Sequence, residues 1–188
     1  MGIMGTLLRN RRAGGTHLAW NLPGLAGPST LELSSEAFAD GAAMPPAQAA
    51  KRVGGQEQSP PLTWAGTPAG TVELLLVVED VDVPMGKPFV HGLALIAPSI
   101  SALPAGALDA SGPVEGVRVL RPGFGRGYVG AAPIKGHGPH RYVFQLFALG
   151  APAAADGDKA AQAKPRELLA GVHGPVLARG RLTGTYER

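Results

Sequence analysis

The sequence predicts an all-β chain, a β-sandwich whose short helices are confined to its C-terminal end. Three observations carry that prediction. Gly and Pro number 28 and 18 and are spread along the 188 residues without a period, which favours many turns between short strands over long helices. The apolar residues gather in short runs, each bounded by Gly, Pro or Asp. The clear helix signal is a late one, Pro165 followed by Arg166-Glu167-Leu168-Leu169-Ala170 and closed by Gly171 or Gly174.

Taken in order, residues 1–30 read as an arm, rich in Gly, Arg and Pro and without a period. Trp20 is placed to anchor it on the body or on a second subunit. A single sandwich domain is expected over 31–188, opening with the alternating stretch Leu31-Glu32-Leu33. Asp40-Gly41, Pro45-Pro46, Gly54-Gly55 and Ser59-Pro60-Pro61 are turn signals. Val72 to Glu79 is almost continuously apolar and β-branched, the pattern of a strand covered on both faces. Phe89 to Ile96 is a second strand, between Pro88 and Pro98. Val117 to Leu120 is a short one. Arg141 to Leu149 alternates Tyr142, Phe144, Leu146 and Ala148 with Val143, Gln145, Phe147 and Leu149. Residues 151–164 read as an Ala-rich loop turning into helix at its end, 176–179 as one more helical turn, and Arg181 to Tyr186 as the last strand.

Composition excludes several function classes. With no Cys there is no disulfide scaffold, thiolate metal site or Cys nucleophile. Charged residues are 16% and the formal charge is +3, too weak a balance to mark a nucleic-acid partner; Arg9, Arg11 and Arg12 read as a solvated cluster. No stretch approaches the ~20 apolar residues of a membrane-spanning helix. Asn21 and Pro23 interrupt the one run resembling a signal peptide, so a cytoplasmic location is expected.

Three segments concentrate reactive side chains. Asp80 and Asp82 follow the buried strand, and an extended backbone would point both the same way; the alternative is an Asx-type turn with solvated carboxylates. His91 opens the next strand, beside apolar residues that would also suit a packed core histidine. The third segment, 123–142, is Gly-rich and ends Gly136-His137-Gly138-Pro139-His140-Arg141-Tyr142. Its backbone N–H groups can approach a ligand closely, and its last residues offer donors suited to an oxyanion. The formal Gly125-x-Gly127-x-x-Gly130 match to a dinucleotide fingerprint is discarded, because Pro133, Gly136, Gly138 and Pro139 forbid the helix it needs. No Gly-x-Ser-x-Gly elbow occurs. His137 and His140 are three apart, a spacing that would suit a metal on a helix, but this segment cannot be helical, so neither a functional metal nor a cofactor is expected.

These segments, with Ser59-Pro60-Pro61-Leu62-Thr63-Trp64 before them and Leu182-Thr183-Gly184-Thr185-Tyr186 after, resemble in order and spacing the phosphatidylethanolamine-binding proteins, in their bacterial Raf-kinase-inhibitor-like branch. The resemblance spans about residues 31–188. It implies a two-sheet antiparallel β-sandwich with a small solvent-open pocket for phosphate-like or acetate-like groups. Asp80, Asp82, His91, His140 and Tyr142 match the pocket motifs, and the backbone from Gly130 through Ala132 would form the rim. The chain departs from the family pattern at Val81, Gly92, Ala132, Ile134 and Gln56-Glu57-Gln58.

The function expected is binding of a small anion or phospholipid headgroup, with no catalytic residue. The two Asp residues would orient His91, His140 or Tyr142 and favour imidazolium, so that affinity weakens as pH rises. The second reading is an interaction protein inhibiting a kinase or protease. The third is a phosphoester hydrolase using His140 as acid and Asp80 as orienter, which lacks a nucleophile. By analogy alone, the chain could also form a homodimer.

Overall fold

The computed structural model of the chain describes residues 2–112, 114–154 and 157–188. The elements in order are α1 (Ile3–Leu8), β1 (Glu32–Ser34), β2 (Leu62–Ala65), β3 (Glu73–Asp80), β4 (Phe89–Ile96), β5 (Ala102–Leu103), β6 (Val117–Val119), β7 (His140–Leu149), α2 (Gly157–Gln162), α3 (Pro165–Ala170) and β8 (Val176–Tyr186). Two antiparallel sheets form, β1-β2-β5 and β6-β4-β3-β7-β8. The predicted all-β sandwich with late short helices is the observed fold.

β3 lies at the centre of the larger sheet because nearly every residue in it is apolar. Leu74, Leu76 and Val78 face the small sheet and pack with Leu33, Leu62 and Trp64. Leu75 and Val77 face the other way, onto Ala19, Leu25, Leu168 and Leu169. All five β3 residues are fully buried, each worth roughly 1.5–3 kcal/mol of transfer free energy. β7 keeps the expected alternation, with Tyr142, Phe144, Leu146 and Ala148 on the inner face.

Two elements differ from the sequence reading. Residues 176–179 are not a helical turn but the start of β8, an eleven-residue strand. Val176, Ala178 and Arg179 pair with Leu149, Ala148 and Phe147, and a bulge at Ala148/Leu149 absorbs the register. Pro175 stands just before this edge strand, where a missing N–H costs no ladder bond. The second difference is α1, a helix inside a stretch read as aperiodic. Part of the expected 151–164 loop, residues 155 and 156, lies outside the described residues.

The segment before β1 lies across the body. Ala19 N–H donates to the Glu79 carboxylate (2.7 Å) and Trp20 N–H to the Gln145 side-chain Oε1 (2.7 Å). The Trp20 ring stacks on Phe147 and carries the Arg179 guanidinium 4.0 Å above it, so this aromatic anchors on the body. Further along, Gly14 N–H and Ala13 N–H donate to the carbonyls of Val81 and Val83. α1 rests on the loop 135–137, so close that a Cβ on Gly5 would collide with Lys135 O. Among the described residues no helix is long and apolar enough to cross a membrane.

Candidate functional site

The inner faces of β3, β4 and β7 meet at one end of the sandwich. Parity along β3 carries the inward set Leu74, Leu76, Val78 on to Asp80, and along β7 carries Ala148, Leu146, Phe144 on to Tyr142 and His140. β4 needs a correction of phase to join them. Its ladder pairs Val78 with Gly92 but Glu79 with Val90, leaving His91 as the unpaired residue of a bulge. A bulge re-aims a side chain, and here it moves Val90, in step with the inner Ala94 and Ile96, to the outer face while His91 turns inward beside Tyr142. Its ring is held edge-on between Phe89 (centroids 4.9 Å apart) and Tyr142 (5.0 Å).

The result is a cavity of about 330 Å³ lined by Asp80, His91, His140, Tyr142, Gly130 and Ala132, with apolar walls from Phe89, Phe124 and Ile134. Arg52 also lines it. Gly130 is required here by close approach, since a Cβ would collide with Ala50 N and the Ala49 carbonyl carbon. Six of the seven residues singled out in the sequence thus converge. The seventh, Asp82, does not line the cavity.

Asp82 is displaced because the chain leaves the extended conformation after β3. Asp80 Oδ1 accepts the Asp82 N–H at 2.8 Å, the Asx turn that was the alternative reading. The buried Asp82 carboxylate turns instead to Arg141, accepting its main-chain N–H, Nε and Nη2, each at 2.8 Å, and to Arg12 Nη1 at 2.8 Å. It orients neither His91, His140 nor Tyr142. Burial pushes this carboxyl up, but the hydrogen bonds from Arg141 and Arg12 outweigh it and hold the group down at about 2. Val81, the departure from Pro, donates its N–H to Arg141 O at 3.2 Å, a bond Pro could not make. Gly92, expected to alter the pocket, faces the core: a Cβ there would meet Val78, Leu108 and Tyr128.

Asp80 Oδ2 meets His140 Nδ1 at 2.7 Å, His140 Nε2 meets His137 Nδ1 at 2.7 Å, and His137 Nε2 meets Leu8 O at 2.8 Å. His137, fully buried, was set aside in the sequence as a non-helical His; its spacing in the Gly-His-Gly-Pro-His run was the available signal. The three links can be counted. The carbonyl end only accepts, so His137 Nε2 carries a hydrogen. Each of the other two links needs one more, making three, and two neutral imidazoles supply two. Closing all three links at once takes one hydrogen more than two neutral imidazoles carry. Both nitrogens of His140 are spent inside the relay, so this ring does not turn the expected donor toward the cavity.

His91 is different. Its Nδ1 lies 2.6 Å from Val129 O and must donate to it, which leaves Nε2 to the cavity, 4.0 Å from Asp80 Oδ2. Burial pushes the ring below its ordinary pKa, against the pull of Asp80 and the bond to Val129. Neutral His91 presents a lone pair, not the donor expected. The Tyr142 hydroxyl is buried and lacks a hydrogen-bond partner within ordinary geometry. Burial, then the nearby Asp80 charge, raise its pKa well beyond the phenolic range, so it stays protonated. Among the described residues no three His, Asp or Glu are grouped to hold a metal ion.

The comparisons with known proteins agree with this architecture. The family model described as phosphatidylethanolamine-binding protein matches residues 34–187. A UPF0098 protein of Aquifex aeolicus is 32% identical over 164 residues, covering 87% of this chain and 92% of its own. Two solved structures superpose well. YbcL of E. coli, described as a member of the mammalian PEBP family, gives a TM-score of 0.75 at 27% identity, covering 85% of this chain and 99% of its own. CT736 of Chlamydia trachomatis gives 0.69 at 26% identity, with the same coverages. The chain belongs to the phosphatidylethanolamine-binding protein family.

Proposed function

We propose that the chain is a binding protein for a small oxyanion of the phosphate-headgroup type, held in the cavity between Asp80, His91, Tyr142 and the Gly130–Ala132 rim. The observation that carries this reading is the Tyr142 hydroxyl, buried at the cavity beside the Asp80 carboxylate and the Ala132 N–H without a hydrogen bond of ordinary geometry to either. Leaving such a group unpaired costs about 1–3 kcal/mol, a cost that an oxygen ligand would remove.

The hydrolase alternative loses ground. His140 would have to serve as acid, but its two nitrogens are engaged by Asp80 and His137. We therefore read the site as a receptor.

The test is a calorimetric and ³¹P NMR titration with inorganic phosphate and phosphoethanolamine, on wild type and Tyr142→Phe. Loss of one hydrogen bond to a charged ligand should weaken binding by about 1.5–3 kcal/mol, while fold stability stays within about 0.5 kcal/mol. Equal affinities in the two proteins would remove the cavity from consideration, and slow conversion of the phosphoester would indicate catalysis.

A further inference from the structure

The polar inventory of the cavity makes a demand on the ligand. Its acceptors are the Asp80 carboxylate and the His91 Nε2 lone pair. Its donors are the Tyr142 hydroxyl, the Ala132 N–H beside it, and the Arg52 guanidinium. His140 offers nothing more, and His91 cannot turn, because Nδ1–H is fixed to Val129 O while Val129 N–H is fixed to His91 O at 2.7 Å. A fully deprotonated oxyanion would meet Tyr142, Ala132 and Arg52 well, but would press its remaining lone pairs against His91 and Asp80. Buried acceptor-to-acceptor contacts of that kind carry the full desolvation cost of both groups.

Resting on the anion-pocket reading above, we propose that the cavity selects oxyanions that carry their own acidic hydrogen, namely phosphate monoester monoanions and dihydrogen phosphate, whose P–OH donates to His91 Nε2. A phosphate monoester has its second pKa near 6 and keeps that hydrogen over a useful pH range. A phosphodiester, the linkage of an intact phospholipid headgroup, has none near neutrality, and neither has sulfate. The site is accordingly a monoester receptor, for a free headgroup phosphate or inorganic phosphate. What sets its ligand apart from the phosphate of a membrane lipid is a P–OH where the lipid carries a second ester.

The titratable and charged groups around His91 support neutrality of the ring. Asp80 from β3 attracts a proton to it from 4.0 Å, but its Oδ1 is taken by the Asp82 N–H and its Oδ2 by His140, and His140 itself disfavours a charge on His91. Burial and the Arg52 charge both disfavour imidazolium. Tyr142 from β7 approaches edge-on and stays protonated.

The experiment is calorimetry at about pH 6 with four probes: phosphoethanolamine, inorganic phosphate, glycerophosphoethanolamine and sulfate. The expected result is that both monoesters-or-phosphate probes bind at least about tenfold tighter than the diester and sulfate, a difference of roughly 1.4 kcal/mol. Their affinity should also fall by close to tenfold per pH unit above the ligand's second pKa, roughly 6 to 7. The ratio between phosphoethanolamine and inorganic phosphate reports which source the pocket prefers and leaves the proposal supported either way. His91→Phe should collapse the discrimination to within about threefold; the wild-type ratios decide the matter even where that variant does not fold. Diester or sulfate binding within about threefold of phosphoethanolamine would overturn this selectivity and leave the anion pocket standing. If none of the four binds at millimolar concentration, the pocket reading falls with it.

Discussion

Asp82→Asn tests whether the carboxylate that points away from the cavity works as a charge. In the fold Asp82 accepts four hydrogen bonds from two arginines and its carboxyl is held at about 2 instead of the ordinary 3.8. Taken at face value that difference amounts to about 2.5 kcal/mol. The partners are not dry, since the side chains of Arg12 and Arg141 are 31% and 55% exposed, and solvent screening reduces the figure to about 1–1.5 kcal/mol. The sign follows from the depressed pKa. The stabilisation is fully present above the unfolded value near 4 and is lost as pH falls through the folded value near 2. Urea unfolding of wild type and variant at about pH 7, 4 and 2 is the assay. The variant should be less stable by about 1–1.5 kcal/mol at neutral pH, or a few degrees in Tm for a chain of this length. The gap should close between pH 4 and 2. A gap that persists unchanged at pH 2 would refute the electrostatic account and leave a packing role.

Two further outcomes follow from the same geometry. His137→Ala strands Leu8 O and His140 Nε2 without their partner, so stability should drop by about 1–3 kcal/mol and amide exchange of Arg11, Ala13 and Gly14 should rise more than that of β3; unchanged exchange in that stretch would show that the relay does not hold it. Gly130→Ala drives a Cβ into the main chain at Ala49 and Ala50, an overpacking that should cost about 1–3 kcal/mol in urea unfolding, and a loss below about 0.5 kcal/mol would contradict the close approach.

The legible parts of the sequence were those with a period or a motif. β3, β4 and β7 are long apolar runs, so their approximate bounds could be read directly, and β7 keeps the alternation of its two faces. β2 and β5 are short, four and two residues, and their apolar residues are too few to show a period. β8 was half hidden because Gly180 and the charges at Arg179 and Arg181 break the apolar pattern; pairing with β7 along its whole length overrides that local weakness. Within the site, residue identity was readable and direction was not. The Asx turn at Asp80 and the bulge at His91 each shift side-chain parity by main-chain geometry, which no count of residue types encodes. Those two irregularities separate Asp82 from Asp80 and bring His91 to Tyr142.

The relay ends on a peptide carbonyl, Leu8 O, and that has an evolutionary consequence. A main-chain acceptor is supplied by any residue, so selection acting on this contact would leave no conserved letter at position 8. It would act on the spacing that brings that carbonyl to His137, and on Gly5, whose missing Cβ lets the helix lie against Lys135. The family match begins at residue 34, so Gly5 and Leu8 lie outside it while Lys135 and His137 lie inside. Because Leu8 contributes only its main chain, the side chain at position 8 is free to change while the tie to the buried His137 stays in place.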